Sequence, residues 1–113
     1  LIIVTPCPEG VSVMRREMLA FTAWPPEAID AAGRAGRIDD TPAAALAMAW
    51  AHVRQRRQVS IVSYGLSQAD AQQLGLVPFA TVDDALADAC RRHGPQANVT
   101  ILPQAPETLP PRQ

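Results

Sequence analysis

Three short apolar runs, each followed by turn-forming residues, divide the chain at residues 1–4, 59–63 and 98–102. The first run, Leu-Ile-Ile-Val, is apolar at every position, which is typical of a strand buried on both faces of a parallel sheet. The second and third runs mix β-branched residues with polar ones, the third run ends in leucine, and Gly or Pro follows each of them closely. We therefore predict three strands.

Helical patterns fill the first interval. A weak pattern covers residues 13–23, a second helix starts at Pro26, and a third opens with Thr41 as its N-cap. Apolar residues at helical spacing predict the buried face of the third helix: Leu46, Trp50 and Val53.

Two more helices are predicted between the second and third strands. Ser67 and Asp70 form a pair resembling a capping box, and the helix that they open ends at Gly75. Residues 76–80 are expected to link it to the next helix, which Thr81 caps and Gly94 ends. The predicted buried face of that last helix consists of Val82, Leu86, Ala89 and Cys90.

Apart from the weak pattern at residues 13–23, the elements follow a βααβααβ order, which predicts an α/β domain with a small, open, mainly parallel sheet of about three strands flanked by helices. We expect the domain to cover residues 1–103 and a Pro-rich extended tail to cover residues 104–113. The chain begins in mid-strand at Leu1 without an initiator methionine, so we expect a fragment of a longer protein.

Composition argues against several classes of function. The net charge of -1 gives no footprint for nucleic acid, and no apolar run approaches the ~20 residues that cross a membrane. All ten basic residues are arginine, so this segment cannot host a Schiff-base lysine or a lysine-tethered cofactor. The lack of secretory features favours a cytoplasmic protein in which Cys7 and Cys90 are free thiols, although the sequence alone does not exclude a disulfide.

The candidate site lies where the strands end, because ligands of open parallel sheets bind outside the carboxyl ends of the strands. The first strand leads into a tight loop with polar residues and a glycine, and Tyr64 follows the second strand. The predicted residues of a substrate-cleft rim are Thr5, Cys7, Glu9, Gly10 and Tyr64.

Cys7 is the one plausible nucleophile, yet its neighbourhood in the sequence lacks a histidine base. His52 and His93 come late in predicted helices, where an ordinary surface role is favoured. The pairs Asp39-Asp40 and Asp83-Asp84 precede or open helices, where negative charge is stabilising. We therefore favour a structural role for Cys7 and predict neither a catalytic residue nor a metal ligand on this chain.

Several motifs, in a fixed order, carry a resemblance to one family. They are residues 2–10 (IIVTPCPEG), 59–63 (VSIVS) with Gly75-Leu76, 81–86 (TVDDAL), and 99–103 (VTILP) with 108–110 (TLP). Taken together, they resemble the C-terminal domain of the nickel-pincer lactate racemase family over nearly the whole chain.

The resemblance implies a two-domain 2-hydroxyacid racemase or epimerase. In that family a nickel pincer nucleotide, tethered to a lysine of the N-terminal domain, accepts and returns a hydride at the substrate's α-carbon. This segment would form one wall of the interdomain cleft and be inactive alone. Its implied partners are its own N-terminal catalytic domain and a small hydroxyacid substrate, with no nucleic acid or membrane. The alternative is a stand-alone α/β binding or interaction module without catalysis.

Overall fold

The computed structural model describes residues 1–11 and 13–104 of the chain. Its sheet contains three short parallel strands, β1 (Ile2–Val4), β2 (Ser60–Val62) and β3 (Val77–Phe79), in the order β1-β2-β3. This confirms the predicted small α/β fold with an open parallel sheet of three strands. The predicted tail, apart from Gln104, lies outside the described residues.

Helices occupy most of the remaining described chain. A 3₁₀ helix covers Val13–Phe21, and the α-helices are α1 (Pro26–Arg34), α2 (Thr41–Arg56), α3 (Gln68–Gln73) and α4 (Val82–His93). Each starts within one residue of its predicted start. None of these described helices is both long enough and apolar enough to span a membrane.

The third strand is not where the sequence predicts it. Residues 98–102 have no regular structure, whereas the expected link contains β3, whose Val77 N–H donates to the Val59 carbonyl at 2.9 Å. The described order is therefore a strand, a 3₁₀ helix, two α-helices, a strand, an α-helix, a strand and an α-helix. The sequence does not indicate β3 because the strand has only three residues with Pro78 in the middle, and proline argues against a strand unless that strand lies at an edge.

The core consists of two clusters that α2 joins. Beside the sheet, Val59, Ile61, Ala71 and Leu76 are buried, and Trp50 of α2 packs against them. In the helical layer, the buried cluster consists of Ile29, Ala44 and Ala47, with Phe21 among the residues packed against it.

The buried face of α2 differs from the prediction. It consists of the alanines Ala43, Ala44, Ala47 and Ala51. Leu46 and Val53 are 43% and 39% exposed. Only Trp50, of the three predicted core positions, lies half-buried. Because α2 packs against both α1 and the 3₁₀ helix, its contact face needs small side chains.

The buried face of α4 is also shifted. Ala85 is fully buried, whereas Val82 and Cys90, which were both expected to be buried, are exposed. Leu86 and Ala89 lie half-buried beside it. The face that meets the sheet is therefore centred on a small residue.

Candidate functional site

The loops that follow β1 and β2 lie side by side at the carboxyl edge of the sheet. The Gly65 N–H donates to the Pro6 carbonyl at 3.0 Å. The Ser63 hydroxyl donates to the same carbonyl at 3.1 Å and accepts from the N–H groups of Gly65 and Leu66 at 3.3 Å each. We call this hydrogen-bonded unit, residues 5–10 and 63–66, the rim.

Backbone conformation holds the first loop of the rim in a fixed shape. Cys7 has a φ of +42°, and the Gly10 N–H donates to its carbonyl at 2.9 Å. A non-glycine residue with positive φ costs about 1 kcal/mol, so it persists where neighbouring contacts enforce it. Gly65 supplies that contact, since a Cβ there would lie 1.9 Å from the Cys7 carbonyl oxygen. Only glycine fits at this position.

The predicted site residues divide into an inner and an outer group. Thr5, Cys7 and Gly10 are half-buried in the first loop, and the Cys7 thiol lies 3.7 Å from the Thr5 hydroxyl oxygen. Glu9 is exposed, and Tyr64 on the second loop is 83% exposed. Neither of these two side chains forms a hydrogen bond within the described chain. The rim therefore presents a carboxylate and a phenol to solvent.

Ser63 and Gly65 are the rim residues that sequence reasoning missed. The sequence pattern places Ser63 in the second strand and Gly65 in its exit, whereas both residues connect the two loops. The available signal was the tripeptide Ser-Tyr-Gly directly after a buried strand, because a serine hydroxyl and a glycine at a strand end can bond and approach a neighbouring loop.

The other titratable groups singled out in the sequence lie elsewhere. His52 and His93 are exposed on α2 and α4. Asp40 accepts a hydrogen bond from the Ala43 N–H, and Asp84 accepts one from the Thr81 hydroxyl, so both are helix-capping groups.

Both cysteines are free thiols in the structure. Across residues 1–11 and 13–104, no three His, Cys, Asp or Glu side chains are grouped so that they could hold a metal ion. With no lysine in the chain either, these residues do not fit a site for a tethered nickel nucleotide.

Two grooves lie away from the rim. One, of about 360 Å³, runs between α1 and α2 and is lined by apolar residues such as Ile29, Ile38 and Met48. The other, of about 390 Å³, separates α4 from residues 97–99. Neither groove is lined by a rim residue.

No protein-family model matches the chain, and neither a curated protein nor a solved structure shows significant similarity to it.

Proposed function

We propose that the chain is the C-terminal α/β domain of a lactate-racemase-like 2-hydroxyacid racemase or epimerase, and that the rim forms one wall of its interdomain cleft. The rim is the observation that carries the proposal. Residues 5–10 of the motif on which the resemblance depends form a loop locked to the exit of the neighbouring strand. Loops at this edge of a parallel sheet are the usual place for a ligand.

The rim side chains suggest a division of work within such a cleft. The hydroxyl groups of Thr5 and Tyr64 are suited to hydrogen-bonding the carboxylate or hydroxyl group of a 2-hydroxy acid. The exposed carboxylate of Glu9 would repel an anionic substrate, so it is better suited to a cationic side chain of the catalytic domain. The rim would thus both orient substrate and fix the domain contact.

The nickel nucleotide of the proposed parent protein would have to be held by its N-terminal domain, because this chain offers neither a lysine nor, among its described residues, a metal-ligand group. That group would supply the redox chemistry. The part left to this domain is to position the substrate and to exclude water from the cleft.

A stand-alone binding module remains the second proposal. Tyr64 favours it, because an exposed tyrosine on a hydrogen-bonded loop is typical of protein interfaces. The described rim also contains no histidine that would pair with Cys7 or Glu9.

The intact mass of the polypeptide purified from its natural source separates the two proposals. A mass several-fold above 12.1 kDa, with bound nickel and racemisation of 2-hydroxy acids in a chiral assay, would support the racemase proposal. A mass near 12.1 kDa would remove the catalytic domain and favour the binding module.

A further inference from the structure

The two outer edges of the sheet offer different backbone groups. Because the Val77 N–H donates inward to Val59, and alternate residues of a strand face opposite neighbours, Pro78 occupies the outward position of β3. Proline has no N–H to offer there. This edge is therefore closed to a strand that needs a donor.

The β1 edge is open. The Leu1 carbonyl accepts from the Ser60 N–H at 2.8 Å, and the Thr5 N–H donates to Val62 at 3.1 Å. Ile2 and Val4 alternate with these bonded positions along the strand. Their N–H and C=O groups therefore point away from β2, toward the free edge. Within the part of the chain that the structure describes, no strand pairs with them. An apolar edge without proline or charge is a ready acceptor for another strand.

A suitable strand lies in the same chain. Residues 98–102 (NVTIL) contain three β-branched residues and a leucine, and Val99 and Ile101 are 61% and 79% exposed. Residues 97–99 line one side of the groove whose other side is α4, through Leu86, Ala89, Cys90 and His93. Residues 97–99 thus already lie beside the helix that precedes them.

The positions of the helices indicate which edge this segment fits. Val59 and Ile61 point to the sheet face that Trp50 of α2 and Leu74 at the end of α3 cover. Ser60 points to the opposite face and is completely buried. Because α4 packs against all three strands and contributes nothing to the first cluster, it covers the Ser60 face.

Crossovers between parallel strands are right-handed in nearly all proteins. From β1 through β2 to β3, each strand is added on the same side of the preceding one. The helices of both crossovers, α2 and α3, lie on one face of the sheet. A right-handed crossover over the opposite face must return toward β1. The strand after α4 therefore belongs beyond β1, in the order β3-β2-β1-β4.

We infer that residues 98–102 close onto the free edge of β1 as a fourth parallel strand. The order of the strands then reverses between β1 and the new strand, so residues 5–10 and residues 103–104 flank a crevice at the point of reversal. Ligands of open α/β sheets bind at such points. The strand itself does not depend on the proposed function, whereas the use of the crevice by a hydroxy acid does.

Amide hydrogen exchange followed by NMR on the full chain tests this inference. We expect the Ile2 and Val4 amides to exchange at least ~100-fold more slowly than in an unstructured peptide, with cross-strand nuclear Overhauser effects to residues 98–102. An open edge gives exchange near the unstructured rate at both amides, which would overturn the inference.

Proline variants show which segment protects the edge. In a parallel pair alternate amides bond to the neighbour, so either Thr100→Pro or Ile101→Pro removes an inter-strand donor and should abolish protection at Ile2 and Val4. Thr100→Ala and Ile101→Ala keep the amide and should retain protection. Loss of protection at the Val62 amide would show that a proline variant has unfolded. In that case the cross-strand Overhauser effects in the alanine variants show whether residues 98–102 pair with β1. Protection that falls on dilution, with a dimer mass, would assign the edge to a second copy and overturn the inference.

Discussion

Gly65 is the residue on which the rim's geometry depends most directly. A Cβ at this position would lie 1.9 Å from the Cys7 carbonyl oxygen and 2.7 Å from that of Pro6. Both clashing atoms belong to backbone, so relief requires the two loops to separate. We expect Gly65→Ala to lower the free energy of unfolding by about 2 kcal/mol or more, measured by urea denaturation.

Gly33 provides the matched control. It lies inside α1, and a Cβ there meets no atom within 4 Å. Gly33→Ala should raise the free energy of unfolding by up to about 1 kcal/mol, because alanine favours the helix. Equal destabilisation by the two variants would contradict the close loop contact.

Ser63 connects the rim through its hydroxyl group. Ser63→Ala removes one donated and two accepted hydrogen bonds. We expect a loss of about 1 kcal/mol in the free energy of unfolding, since water can reach this part of the surface. Tyr64→Phe, which removes an exposed hydroxyl, should leave the urea midpoint unchanged. A midpoint for Ser63→Ala within error of that control would show that the loops hold together without the serine.

Helix α2 begins differently from its prediction. The sequence predicts Thr41 as the N-cap, but Asp40 accepts from the Ala43 N–H at 2.9 Å and is the cap. Asp40→Ala should therefore cost about 1 kcal/mol of stability in thermal or urea unfolding, and Thr41→Ala only a few tenths. A larger loss of stability for Thr41→Ala than for Asp40→Ala would show that Thr41 is the cap.

Local signals predicted the helix ends better than the strands. Ser67 and Thr81 cap α3 and α4 as expected, because a cap involves residues only three apart. The location of β3 depends on pairing with β2, which is distant in sequence. The three residues of β3 contain no information that distinguishes an edge strand from a linker.

The candidate site was likewise predictable where it depends on residues that are close in sequence, and not where it depends on strand pairing. That Thr5, Cys7 and Gly10 share one loop follows from their adjacency in sequence. Their proximity to Ser63 and Gly65 depends on the parallel pairing of β1 and β2. The alanine face of α2 was not predictable from hydrophobicity, because the larger side chains of Leu46 and Val53 gave a stronger signal than the small residues that make the contact.

The Arg54 side chain links two helical segments to the turn before β3. Arg54 of α2 donates to the Thr22 carbonyl after the 3₁₀ helix. Its guanidinium also packs over Gly75, where a Cβ would lie 2.6 Å from Nη1. The two core clusters and the turn before β3 are therefore coupled through α2.

The proposed cleft leads to a prediction for the complete parent protein. Thr5→Val and Tyr64→Phe each remove one hydroxyl group from the rim. If these groups orient a hydroxy acid, each variant should lower kcat/KM by about 10-fold. Asp83→Asn, which changes an exposed residue in the first turn of α4, should leave kcat/KM unchanged. Equal effects of all three changes would argue against the rim assignment.

Pro78 has a consequence for solubility. Fibril growth through sheet edges requires every added copy to present a fresh acceptor edge. If residues 98–102 leave the β1 edge, two copies joined along that edge would expose only their β3 edges, each with Pro78 in the outward position. Accidental association through the β1 edge therefore ends with a pair and does not propagate into filaments.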